Sequence, residues 1–145
     1  MIEGGIFLKV KRVLIAVKDR ENVELLIEEL SAVNCRKEII LKENGQEVAD
    51  YFENIGSDGT VNADSQIDLL ILCLNLPRVH CLDILKLLKK DPKHSSIPII
   101  IFSTRIDSNT ASEVYENGAN SYITKPISFA DFQKNIQIFR KYLLN

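Results

Sequence analysis

Apolar runs rich in Val and Ile alternate along the chain with segments of helical period. RVLIAV, from Arg12 to Val17, is continuous and apolar, as expected of a strand covered on both faces. ENVELLIEEL follows, placing Val23, Leu26, Ile27 and Leu30 on one helical stripe with glutamates opposite. The alternation then repeats: EIIL with GQEVADYFENI, DLLILCL with CLDILKLLKK, IPIIIFS with TASEVYENG, and SYIT with SFADFQKNIQIFRKYLL. Strands alternating with helices predict right-handed crossovers, and so a doubly wound α/β fold whose five-stranded parallel sheet carries helices on both faces.

Punctuation along the chain agrees with this scheme. Pro92 and Pro98 bracket the entry to the fourth strand, Gly118 ends the fourth helix as a C-cap residue, and Ser128 with Asp131 forms a capping box opening the fifth. The polar stretch from Gly56 to Gln66 reads as an extended solvent loop, and residues 1–10 as an N-terminal extension. With 145 residues the chain is one domain, 1–145, large enough for its own core. Hydrophobic residues at 46% and charged residues at 26% argue against disorder. The formal charge of -2, with lysines scattered over several helices, offers no field for a polyanion, so no nucleic-acid partner is expected. No leader and no membrane-length apolar run is visible, which predicts a cytoplasmic chain. Cys35, Cys73 and Cys81 form neither a CxxC pair nor an even framework, and reduced thiols are expected.

In an open parallel sheet the chemistry gathers beyond the carboxyl ends of the strands, where strand order reverses. Lys18 and Asp19 follow the first strand there. Cys73 ends the third, with Asn75 and Pro77 behind it; Ser103 and Thr104 end the fourth; Tyr122 to Pro126, YITKP, form the fifth and its exit. These residues, with LNLP (Leu74 to Pro77), IPIIIFST (Ile97 to Thr104) and GANSYITKP (Gly118 to Pro126), resemble the receiver domain of bacterial two-component response regulators, of the CheY-like superfamily. The likeness covers nearly the whole chain in order. LNLP and the long polar loop are most similar to the stand-alone receivers that pair with phytochrome-type sensor kinases. The resemblance implies a flavodoxin-like (βα)5 fold with strand order 2-1-3-4-5.

It also implies roles. In that family an aspartate ending the third strand accepts a phosphoryl group from a kinase histidine, and two acidic residues after the first strand help to hold Mg²⁺. A Ser or Thr after the fourth strand and a Lys after the fifth contact the phosphoryl oxygens. Carried onto this chain, Ser103 takes the hydroxyl position with Thr104 beside it. Lys125 is the lysine, Pro126 the proline after it, and Tyr122 the aromatic switch residue. The family likeness suggests a cis bond at Lys125–Pro126, an isomer that sequence does not fix. Asp19 takes the second acidic position, but Lys18 stands at the first and Cys73 replaces the acceptor. Cys81 stands where the family has glycine. A lone carboxylate beside two ammonium groups is a poor site for a hard cation, so no cofactor is expected and Mg²⁺ binding is weak or absent; Asp19 and Asn75 are the residues that would ligate a metal. Lys18 is expected to take the metal's electrostatic place.

Cys73 cannot form an acyl phosphate. Two readings stand: a small buried thiol that keeps the third strand packed, which is the one adopted, or a thiolate activated by Lys18 and Lys125, making the chain a thiol-based redox sensor. His80 and His94 are too few and too far apart for a metal site and are expected at the surface. A flavodoxin-like cofactor binder or enzyme would need a glycine- or hydroxyl-rich phosphate loop after the first strand, where VKDREN stands. The expected function is therefore a non-enzymatic pseudo-receiver in phosphorelay signal transduction, acting by contact without phosphorylation. No effector domain follows the fifth helix in the sequence. Its partners would be a sensor histidine kinase or another signalling protein, or a second copy through the face of helix four, strand five and helix five. Phe129, Phe132, Phe139 and Tyr142 are more aromatics than one buried stripe needs.

Overall fold

A computed structural model describes residues 10–54, 66–77, 79–104 and 107–144, with the side chain of residue 54 left out. The strands are β1 (Lys11–Ala16), β2 (Lys37–Lys42), β3 (Leu69–Cys73), β4 (Ile99–Ser103) and β5 (Ser121–Thr124). The helices are α1 (Arg20–Ser31), α2 (Gly45–Asn54), α3 (Cys81–Lys90), α4 (Ser108–Glu116) and α5 (Phe129–Leu143). All strand pairs are parallel and the order is β2-β1-β3-β4-β5, as the resemblance implied. The loop expected at 56–66 and the N-terminal extension lie outside the described residues apart from Gln66 and Val10.

Alternation along each strand sorts the core into two halves. Leu14, Ala16, Leu70, Leu72, Ile99 and Ile101 face one way, onto Val48 and Phe52 of α2 and Ile84, Leu85 and Leu88 of α3. Val13, Ile15, Leu69, Ile71, Ile100 and Phe102 face the other, onto Leu26 and Leu30 of α1 and Phe139 and Leu143 of α5. Each fully buried Leu, Ile or Phe contributes about 1.5–3 kcal/mol, so this double burial dominates the stability. Among the described residues no helix is long and apolar enough to cross a membrane.

The caps expected from sequence form. Ser128 Oγ accepts from the Asp131 N–H (3.1 Å) while Asp131 Oδ2 accepts from the Ile127 N–H (3.2 Å). Gly118, at φ 111°, closes α4: its N–H reaches the Tyr115 carbonyl and the Ala119 N–H reaches that of Val114. A side chain at Gly118 would also collide with the stem of Lys89, whose Nζ donates to the carbonyls of Ser95 and Ile97.

Two surface assignments are corrected. His94 is buried, its ring edge-on to Phe52 at 5.0 Å, because the turn between α3 and β4 folds it against α2. On α1, Ile27 is exposed and Glu29 is fully buried, so the glutamates are not all opposite the core. The helical stripe is rotated because Glu29 has a partner on α5: Asn135 Nδ2 donates to Glu29 Oε2 (2.8 Å) and to the Thr124 carbonyl (3.1 Å), tying α1, α5 and the end of β5 together.

Burial pushes the Glu29 carboxyl up from 4.5 to about 7; the Asn135 hydrogen bond opposes the shift and the Glu28 charge adds to it. A folded value above the unfolded one means that Glu29 stabilises the fold relative to its ionised state below pH 4.5. That contribution disappears as pH rises towards 7, a change on the order of 3 kcal/mol. Glu29→Gln, which keeps an oxygen acceptor for Asn135, should flatten the pH dependence of urea stability across this window. An unchanged slope would place the titration elsewhere.

Candidate functional site

The carboxyl ends of β1, β3, β4 and β5 bring four of the sequence-nominated positions to one crevice. Asp19 stands at the mouth as the N-cap of α1, its Oδ1 accepting from the Glu21 N–H at 3.0 Å. Cys73 is the last residue of β3, half-buried and in register with Phe102 of β4. Ser103 ends β4 and is buried; its carbonyl accepts from the Lys125 N–H at 3.2 Å, which ties the exits of β4 and β5 together. Thr104 follows, exposed. Lys125 Nζ lies 3.6 Å from Glu21 Oε1, so this ammonium pairs with the first turn of α1. Pro126 follows it, and the described residues contain no cis peptide, in contrast to what the resemblance suggested.

Lys18 goes elsewhere. It makes no ion pair with Asp19 and lines a recess on the β2 side of β1, with Val17, Arg20 and Lys42. The chain bends at Lys18 between β1 and α1, and Lys18 and Asp19 part there, Lys18 to the recess and Asp19 to the cap of α1. Tyr122 is also apart from the crevice, half-exposed on β5 and edge-on to Tyr115 of α4 at 5.9 Å.

The thiol at Cys73 is raised, not lowered. Burial is the largest cause, the Asn75 N–H opposes it by donating to the sulfur, and the Asp19 carboxylate raises it further. The charge acting on the thiol is that of Asp19, and neither Lys18 nor Lys125 lowers it. Cys81, fully buried at the start of α3, is pushed up to about 11 by burial and then by the nearby Cys73. His80 caps α3, Nδ1 accepting from the Leu82 N–H at 3.2 Å.

Sequence reasoning passed over Gly45 and Glu21. Gly45 donates its N–H to the Pro77 carbonyl (3.0 Å), and any Cβ there would strike the Val79 carbonyl. The start of α2 thus holds the loop after Cys73 in place. Glycine at the opening of a helix was the available signal at Gly45; its contact with Pro77, like the partner of Glu21, lies across the fold and carried none.

The chain matches the response regulator receiver domain over residues 24–137. It is 35% identical over 103 residues to the cell cycle transcriptional regulator CtrA of Caulobacter vibrioides, a match that takes in 70% of this chain and 43% of CtrA. It is 24% identical over 134 residues to the response regulator Rcp1 of Synechocystis, with 92% and 89% covered. The chain thus spans less than half the length of CtrA but most of Rcp1. Its fold superimposes on the phosphorylated cyanobacterial phytochrome response regulator RcpA with a TM-score of 0.78 at 23% identity, covering 94% of this chain and 96% of that one.

With its thiol raised, Cys73 should alkylate with iodoacetamide at neutral pH more slowly than a free peptide thiol, as read by peptide mass mapping. A faster rate would mean that a cation reaches the sulfur in solution.

Proposed function

Because this chain belongs to the response regulator receiver domain family, we propose that it acts in two-component signalling as a receiver that works through protein contacts without carrying a phosphoryl group. The observation that carries this reading is Cys73 at the carboxyl end of β3, where the family has its acceptor carboxylate. Sulfur there forms no acyl phosphate, and the raised thiol supports neither a phosphorylated nor a redox-active Cys73.

The crevice does not fit a hard divalent cation either. Asp19 spends one oxygen on the Glu21 N–H, the Glu21 carboxylate faces Lys125, and Cys73 offers a soft, protonated ligand. Mg²⁺ binds through several oxygen ligands in octahedral order. Among the described residues no group of three His, Cys, Asp or Glu side chains is placed to hold a metal. The soft, protonated Cys73 and the committed Asp19 support a pseudo-receiver that works without Mg²⁺. Membership of the receiver domain family supports a sensor kinase as the partner.

Output by association has a candidate surface. Tyr115 and Tyr122 expose 44% and 36% of their areas, while Ile127 and Phe129, where β5 leads into α5, expose 91% and 72%. Phe129 stacks on Phe132, with ring centroids 6.5 Å apart. Phe139, by contrast, is core, and Tyr142 hydrogen-bonds the Asn120 carbonyl, so the aromatic excess lies at the start of α5. A second copy docking there would cover these side chains.

Incubation with acetyl phosphate and Mg²⁺ should leave the intact mass unchanged. A phosphorylated species, acid-stable or acid-labile, would sink the phosphate-independent reading. Light scattering should give a mass that rises towards a dimer with concentration, and Phe129→Lys should hold the chain monomeric; a monomer throughout for the unaltered protein would remove the homodimer.

A further inference from the structure

We propose that the recess between the exits of β1 and β2 and the start of α1 binds a small organic anion with an apolar body. Its volume is about 340 Å³, against about 50 and 40 Å³ for the cavities beside α5 and between α2 and α3. Small-molecule sites begin at about 300 Å³, so of these three only this one has room for a ligand larger than water.

The lining is divided by chemistry. Val17, Val23 and Leu41 supply an apolar wall, and Leu41 leaves 52% of its surface open, an unusual exposure for a large aliphatic on a strand. Lys18 and Arg20, at the entry to α1, and Lys42, at the end of β2, supply three cations from two separate stretches of chain. Among the described residues none of the three has a carboxylate within ion-pair distance; Lys42 Nζ lies 5.5 Å from the centre of the Tyr51 ring. The acids in the lining cancel two of these charges at most. Glu47 accepts from the Glu43 N–H on one oxygen (3.1 Å) and from Asn44 Nδ2 on the other (3.3 Å), which fixes its carboxylate in place, and Glu43 is exposed.

Three cations against two carboxylates leave the lining net positive in a chain whose overall charge is negative. A carboxylate or phosphate monoester meets this charge, and the planar Arg20 fork suits either head group. An apolar body attached to it would cover Leu41. Cations converging from separate segments around one recess fit a compact head group, whereas an extended acidic peptide calls for charges along a line.

Calorimetry on the full chain with hexyl phosphate, octanoate, inorganic phosphate and hexanol tests this. Hexyl phosphate or octanoate, whichever head group the site prefers, should bind at least about tenfold more tightly than both inorganic phosphate and hexanol. Amide shifts should centre on Val17, Lys18, Val23, Leu41 and Lys42. The triple variant Lys18→Gln, Arg20→Gln, Lys42→Gln should lose binding while keeping its circular dichroism, and Lys18→Arg should keep both. The proposal is overturned if hexanol binds as well as the anions, if the triple variant still binds, or if neither amphiphile binds while an oligoglutamate peptide does.

Discussion

Two-sided burial of the central strands is the constraint on which the crevice depends. β1 from Val13 onwards, β3 and β4 are sealed on both faces, so they are apolar through the middle of the sheet and polar groups appear only at their ends. Cys73 and Ser103 occupy such positions, and Asp19 and Lys125 follow within a few residues of their strands. Cys73 packs against both halves of the core. A carboxylate at that depth needs cations to hold its charge; a neutral thiol needs none. On the proposed reading, in which Cys73 stands where the family has its acid, sulfur removes the electrostatic demand that the surrounding residues would otherwise have to meet.

With that demand gone, the charged groups around the crevice find structural partners, and α1 supplies most of them. Asp19 caps the helix, Glu21 engages Lys125, and Glu29 lies under Asn135 two turns further on. The exposed Glu21–Lys125 pair contributes little energy, since such contacts are screened by water. The buried Glu29–Asn135 contact matters more, because it also holds the Thr124 carbonyl immediately before Lys125. The first helix is thus joined to the exit of β5 at two levels, which makes that exit part of a braced unit.

How much of this was legible follows from the kind of interaction. Element order, strand order and the caps at Ser128 and Gly118 rest on local pattern or on family likeness, and both are present in the sequence. The rotation of α1 was not legible. Val23, Leu26, Ile27 and Leu30 satisfy helical period as well as Asn22, Leu26, Glu29 and Leu30 do, and only contact with Asn135, 106 residues away, decides between the two stripes. His94 was misplaced for the same reason, since its burial depends on Phe52 of another helix. At the crevice the positions were readable but not their electrostatics: spacing put Lys18 and Lys125 near Cys73, whereas Asp19 is the charge that reaches the sulfur.

The turn from Val17 to Asp19 shows why position and chemistry separate here. Asp19 has extended backbone, with φ -76° and ψ 116°, and its carboxylate acts on the crevice. Lys18, one residue earlier, lies along the recess towards β2. On the proposed reading, a cation at that point bears on two places at once: it stands where the family has one acid of its metal-binding pair, and it adds the third positive charge to a recess already edged by Arg20 and Lys42. The residue that would weaken a hard-metal site would then give the opposite side of the turn its field for anions. The two effects can be separated in the protein, since Asp19 and Cys73 belong to the first and Leu41 and Lys42 to the second.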